Sequence, residues 1–296
     1  MSERVSVIIP TLNAGKELPV LLNELHKQRH LVDEIIVVDS ASTDDTNDIC
    51  REDETVTLMA IEREDFDHGR TRDMALKQAA GEIVVFMTQD AVPANDCFIG
   101  NLIAPLSEPQ VAVSTGRQLP KADATKMEHL VRSFNYPERS HVRSGEDIEA
   151  MGIKAFFTSD VCAAYRKDIY CSLGGFCYPV KTNEDMFYAA TALKHGYKVA
   201  YAADALVYHS HNYTLREQYK RNYTQGYEIE KHRNLIGDVS QESEGVNLVK
   251  YVSKGLLKHG HVISFIHFGL DCCARYLGNR NGRRSYRNVE EHHHRK

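Results

Sequence analysis

The chain has 296 residues, a net charge of −5, 42% hydrophobic residues and 26% charged residues. That is room for one large domain, or one domain with an appended piece, of ordinary globular composition. The negative balance excludes a global basic field for nucleic acid, and no apolar run approaches the roughly 20 residues that span a bilayer. Seven cysteines form no CxxC pair, and Met1 to Arg4 lead into a predicted strand with no signal peptide. A reduced, cytoplasmic compartment is therefore expected.

The first half alternates strands and helices. VSVIIP (Val5–Pro10) is a continuous apolar run, as a strand buried on both faces should be, and a helix is predicted over 15–30. EIIVVDS (Glu34–Ser40) is the second strand, and STDDT supplies cap residues for a helix reaching about Glu52. TVTLMAI (Thr55–Ile61) is the third, followed by a helix across TRDMALKQAAG that should stop at Gly81. EIVVFM (Glu82–Met87) is the fourth. This alternation implies right-handed crossovers and a mostly parallel sheet flanked by helices. The pattern loosens from 121 to 151, where only the short apolar pieces AFF and VCAAYRK follow. A helix is then predicted over 183–195, a strand pair or one bent strand over 197–209, and a long polar helix over 214–233. The residues after about Gly245 read as a separate helical appendage. The division expected is 1–235 for the α/β domain, with halves meeting near 120, and 236–296 for the appendage.

In open α/β sheets, ligands bind outside the carboxyl ends of the strands. Here those ends carry Thr11 and Asn13, then Asp39, then the run Asp67-His68-Gly69-Arg70-Thr71-Arg72, then Thr88-Gln89-Asp90. One Asp at a strand end commonly caps the next helix; four polar ends in a row point to a site. Arg70 and Arg72 sit near a helix N-terminus, where N–H groups and guanidinium favour a phosphate. His209 and His211 in VYHSHNY are two apart and share a face if extended. In KTNEDMF, Thr182 or Asn183 can cap a helix whose first turn carries Glu184 and Asp185, and a carboxylate mounted there can equally serve as a base.

VSVIIPTLNAGKELPVLL, EIIVVDSASTDDT, GEIVVFMTQDAVP, LGGF and NED occur in the order seen in family-2 glycosyltransferases with the GT-A fold. The resemblance covers roughly Val5 to His211. FDHGRTRDMAL with TQDA is most similar to rhamnosyltransferases of bacterial surface polysaccharide assembly. It implies a nucleoside-diphosphate sugar donor, dTDP-L-rhamnose above others, with another hexose on UDP as the alternative. The family's DxD signature falls at Thr88-Gln89-Asp90: Thr88 replaces the first Asp, and Asp90 remains to hold a divalent cation, Mn2+ or Mg2+. By order along the chain, His209 and His211 match the histidine that completes such a site. Asp185 matches the general base of inverting transfer, with Glu184 beside it on the acceptor side. Asp39 matches the pyrimidine contact, with Thr11 and Asn13 bordering the nucleoside and His68, Arg70, Arg72, Thr88 and Gln89 lining the donor. Gly174-Gly175 would let the backbone approach before the base, or simply make a turn. Two other readings of the fold stand beside this one. A sugar-nucleotide pyrophosphorylase would want a Gly-rich, lysine-containing loop after the first strand, and TLNAGKEL is a poor one. A binding module without activity fits the lost first Asp but not the retained Asp90 and Asp185.

From Val246 to Asn288 the chain carries eight Lys and Arg against one acid, Asp271, a balance of +7. Leu248, Val249, Val252, Leu256 and Leu257 recur at helical spacing with lysines between, as in an interfacial helix. One reading is docking on the anionic inner face of the cell membrane, suited to a lipid-linked saccharide acceptor. The other is a helical hairpin packed on the catalytic domain or on a second copy in a homo-oligomer. A chain ending near Gly245 is expected to fold and bind donor. The closing Glu290–Lys296 run, native or an added tag, is set aside from metal reasoning.

Overall fold

The computed structural model describes residues 3–237, 239 and 242–294, with the side chains of 242–244 and of 293–294 excepted. Part of the closing histidine run therefore lies outside the described residues. In chain order the elements are β1 (Val5–Thr11), α1 (Leu18–His26), β2 (Glu34–Asp39), α2 (Thr46–Glu52), β3 (Val56–Ala60), α3 (His68–Gln78), β4 (Ile83–Met87), β5 (Val92–Pro93), α4 (Phe98–Ile103) and β6 (Val111–Leu119). There follow α5 (Lys126–Asn135), β7 (His141–Arg143), α6 (Asp147–Met151), β8 (Cys162–Arg166), α7 (Lys167–Ser172), α8 (Glu184–Lys194), β9 (Lys198–Tyr208), α9 (Leu215–Lys231), α10 (Arg233–Ile236), α11 (Glu242–Lys258) and α12 (Val262–His294).

The strands form one sheet in the order β3-β2-β1-β4-β8-β6-β9-β5, with β7 paired to β9. The first four are parallel, as their apolar runs require. Beyond β4 the sheet is mixed rather than mostly parallel: β8 runs antiparallel to β4 and β6, while β6 and β9 are parallel. Alternation along β1 splits the core in two. Ile8 joins Phe86, Tyr170 and Tyr188 on one face, and Val5, Val7 and Ile9 join Leu18, Leu21 and Phe98 on the other.

Helix α3 ends at Gln78, three residues before Gly81. That glycine serves the sheet instead, because a Cβ there would meet the Ser6 backbone nitrogen at 2.7 Å. The 197–209 region is one strand, bent where its register against β6 jumps after Gly116. Its end pairs with β5, Val92 opposite Tyr208, and this carries His209 to the chain just after β4.

The tail is not detached. Helix α12 lies along α9 almost backbone to backbone: a Cβ on Gly282 would meet the Tyr223 carbonyl oxygen at 2.0 Å, and one on Gly278 the Tyr219 carbonyl at 2.4 Å. Val252 and Leu256 of α11 bury against Val131 and Phe268 with Leu248 packed beside them, so three of the five apolar residues at helical spacing turn inward while Val249 and Leu257 stay exposed. Arg287 makes a two-pronged contact with Glu230 of α9 at 2.7 and 3.1 Å. A chain ending near Gly245, expected to fold and bind donor, would uncover these surfaces. Among the described residues no helix is long and apolar enough to cross a membrane.

Candidate active site

The carboxyl ends of β1, β2 and β4 meet as the topology requires. The Asp39 carboxylate accepts from the Thr11 hydroxyl at 3.2 Å and from the Ser42 amide at 2.9 Å, and it is 1% exposed. Asn13 adopts a left-handed φ of 50° and its side-chain oxygen accepts from the Thr43 amide at 2.9 Å, tying the β1 loop to the β2 loop. The Gln89 amide grips the Leu12 backbone, accepting at 2.9 Å and donating at 3.3 Å. That residue, expected to touch donor, spends its polar atoms joining two loops.

Three potential metal ligands converge at the end of β4. Asp90, His209 and His211 each offer an atom within 4.8 Å of the others. The two histidine Nε2 atoms stand 3.1 Å apart, and the Asp90 oxygens lie 3.5 Å from His209 and 3.4 Å from His211. Ligand atoms on a small divalent cation with bonds of about 2.1 Å are spaced in this way. His209 Nδ1 lies 2.9 Å from the Gln118 side-chain oxygen, which fixes the tautomer and leaves Nε2 free to coordinate. Burial pushes the His209 imidazole down to about 3, so the ring is neutral, the form that binds metal. The donor set fits a divalent cation. Lys121, which sequence reasoning passed over, lies 3.2 Å from Asp90.

On the other side of Thr88 a cavity of about 490 Å³ opens between the sheet, α8 and α9. Its lining includes Thr88, Asp160, Asn183, Glu184, Asp185 and Arg72, with Arg221 of α9 and Leu248 of α11 on the far wall. Five buried polar atoms in this lining have no hydrogen-bond partner: Arg72 Nε, Thr88 Oγ1, Thr158 Oγ1, Asp160 Oδ2 and Asn183 Nδ2. Arg72 Nε and Asp160 Oδ2 face each other as an ion pair at 3.5 Å, while the other three are costly unless something else satisfies them. Asn183 also holds φ at 67° and makes no side-chain cap, so the simple capping account of this segment fails. Strain of this kind gathers at functional sites.

Asp185 accepts from the Met186 amide at 2.7 Å and the Asp160 amide at 3.1 Å, and it is half-buried. Burial, reinforced by Glu184, pushes its carboxyl up to about 7 against those amides and Arg72. Glu184, expected on the acceptor side, turns to Arg72, 3.2 Å away, with His68 at 3.8 Å. Arg72 also lies 3.5 Å from Asp160. Burial opposes the Arg72 charge, but Glu184, Asp160 and Asp185 together raise its proton affinity.

The two arginines therefore part. Arg70 is exposed and its guanidinium lies 5.5 Å from the Tyr178 ring centre, outside the cavity. The α3 amides offered to a phosphate are taken by Asp67, which accepts from Gly69 and Arg70 at 3.0 and 2.9 Å. Gly174 and Gly175 make the turn after α7; a Cβ on Gly175 would meet Asp73 at 2.5 Å, and neither lines the cavity.

Sequence reasoning missed Asp160. It is 4% exposed, takes the Tyr165 hydroxyl at 2.6 Å, and burial followed by Asp185 raises its proton affinity well above a carboxylate's usual value. The signal was present: a lone carboxylate between the apolar pieces AFF and VCAAY.

Residues 6–174 match glycosyl transferase family 2. The chain is 42% identical over 224 residues to the O-antigen chain rhamnosyltransferase RfbN of Salmonella typhimurium, covering 75% of this chain and 71% of that one. It is 39% identical to the O-antigen chain rhamnosyltransferase WbaN of Salmonella anatum, over 75% of this chain and 70% of the relative. Among solved structures, the mannosyltransferase PcManGT of Pyrobaculum calidifontis, in complex with GDP-Man and Mn2+, superposes with a TM-score of 0.68 at 18% identity, over 95% of this chain and 87% of that one.

Proposed function

The chain belongs to glycosyl transferase family 2, and on that premise we propose that it is an inverting rhamnosyltransferase. It moves L-rhamnose from dTDP-L-rhamnose to a saccharide acceptor, lipid-linked at its far end, in bacterial surface polysaccharide synthesis. The observation that carries this reading is the cavity itself. A carboxylate with raised proton affinity stands at its wall among buried polar atoms of Thr88, Thr158 and Asn183 that make no hydrogen bond.

In this reading Asp185 takes the proton of the acceptor hydroxyl as that oxygen bonds to the anomeric carbon. The bond to the diphosphate breaks on the opposite face, and the nucleoside diphosphate leaves with the electron pair. Met186 and Asp160 amides hold the Asp185 carboxylate in place. Arg72 acts through Glu184 and Asp160, positioning the acidic cluster from beneath. Asp39 and Thr11 border the pyrimidine. Asp90, His209 and His211 would hold a divalent cation, Mn2+ or Mg2+, which would supply positive charge against the departing diphosphate.

The end of α11 and the start of α12 support a membrane-surface role. Val262, Ile263 and Ile266 are exposed, Ile263 to 85%, close in sequence to Lys254 and Lys258. Each basic residue near an anionic leaflet contributes about 1 kcal/mol. Replacing both Ile263 and Ile266 with Glu should leave the fold intact and reduce binding to anionic vesicles; unchanged binding would remove the membrane role.

The donor is tested by turnover of the purified chain against dTDP-L-rhamnose, UDP-hexoses and GDP-mannose, with and without Mn2+. The reading expects the highest kcat/KM for dTDP-L-rhamnose and loss of rate in chelator. A preference for a UDP-hexose would replace the rhamnose assignment.

A further inference from the structure

A second cavity, of about 500 Å³, shares His68 with the first. Its walls include Phe66, His68, Lys181, Tyr227, Glu228 and Lys231. His68 lines both cavities, and α9 borders both, giving Arg221 and Gln225 to the first and Tyr227 and Glu228 to the second. The two therefore adjoin along one wall.

Glu228 is 2% exposed, and its Oε2 has no hydrogen-bond partner. Lys231 Nζ at 3.8 Å makes an ion pair without a hydrogen bond to that oxygen, and His232 Nδ1, 3.5 Å away on a ring whose proton affinity burial lowers, is taken by the Glu228 backbone carbonyl at 3.0 Å. A buried carboxylate oxygen with an unused lone pair calls for a donor from outside the chain. Lys231 is itself held by the Pro179 carbonyl at 2.8 Å, so its ammonium is fixed beside the cavity. Phe66 and Tyr227 add two aromatic rings. Carboxylate acceptor, ammonium donor and ring faces suit a hydroxyl-rich pyranose, whose hydroxyls donate and accept while its C–H face lies on an aromatic ring.

We propose that this cavity is a second saccharide subsite, holding a sugar of the acceptor one or more units back from the residue that receives the transferred sugar. The inference rests on the acceptor being a saccharide, and it adds where the length of that acceptor is read. It makes the chain a reader of oligosaccharide size, with α9 as the common wall.

The test uses saturation-transfer NMR on the full chain. The probes are size-fractionated oligosaccharides released by mild acid from the surface polysaccharide of the source organism. In the wild-type chain, fractions of two or more sugars should bind about tenfold more tightly than the single sugar. Tyr227→Ala, and separately Lys181→Glu at an exposed position, should remove most of that gain while single-sugar affinity and donor hydrolysis stay as in wild type. Equal binding of all sizes by the wild-type chain would overturn the proposal, as would an undiminished gain in both variants. Donor hydrolysis on the same preparations reports separately on the transferase reading. Length-dependent binding without any donor turnover would support the subsite and refute the transferase.

Discussion

Arg72 Nη1 stands 3.2 Å from Glu184 Oε1, and each side chain is almost wholly out of water. An arginine expected to meet the donor diphosphate is instead the counter-charge of a buried acidic cluster. Removing one member of such a pair leaves the other charge uncompensated, at a cost of about 3–5 kcal/mol. Arg72→Met should therefore lower stability by that order in urea denaturation. A loss under about 1 kcal/mol, within the usual range of a surface change, would show that the cluster is neutralised in another way.

The same cluster predicts how stability changes with pH. Asp185 is raised to about 7 and Asp160 well above its usual value, so between about pH 4 and 7 the folded chain holds protons that the unfolded chain has released. The contribution of these two carboxyls to stability should fall as pH rises through this window, opposite in sign to that of His209, whose proton affinity burial lowers. Asp185→Asn should flatten part of that slope. A stability difference between the wild-type chain and Asp185→Asn that does not change from pH 5 to 7 would contradict the raised value for Asp185.

Gln118 holds His209 Nδ1 at 2.9 Å and orients the imidazole toward Asp90. Loss of such an outer partner typically weakens metal affinity by about 10–100-fold. Gln118→Ala should show a loss of this size in Mn2+ titration by electron paramagnetic resonance, and Asp90→Ala a larger one. Wild-type affinity in both would mean that the three residues do not hold the cation.

Gly282 and Gly278 allow α12 to lie against the backbone of α9. A larger side chain has nowhere to go, since the obstacle is a carbonyl and not a flexible side chain. Gly282→Leu should drive the helices apart, lower the melting temperature by several degrees and expose apolar surface to dye. A chain truncated near Gly245 should fare worse, because Val131 and the buried face of α5 lose Val252, Leu256 and Phe268. An unchanged melting temperature in the glycine variant would show that α12 docks loosely.

Much of the first half could be read from the chain because parallel strands buried on both faces leave unbroken apolar runs, and their ends fall on one rim. Thr11, Asp39 and Asp90 follow from that alone. The second half was less legible. Strands β6, β8 and β9 mix directions, and β8 is short, so Asp160 before it looked like loop. Whether a polar group faces ligand or chain is a tertiary matter: Gln89 and Arg72 have the residue types of a binding site but spend their atoms on Leu12 and Glu184. The tail's spacing revealed amphipathic helices, yet only their packing shows that Val252 and Leu256 face inward while Ile263 faces out. The glycines that bring α12 onto α9 carry no apolar signal.

The central claim is that Asp185 is the base of a glycosyl transfer. It is tested by the rate of transfer from dTDP-L-rhamnose by Asp185→Asn against the wild-type chain across pH 5 to 9, with donor affinity measured in parallel. The wild-type rate should rise with pH and level off above about 7, as the carboxyl loses its proton. The variant should be slower by roughly 10²–10⁴ with donor affinity within a few-fold, the size of a lost general base. A variant with near-normal turnover, or a wild-type profile without an acid limb, would contradict the account.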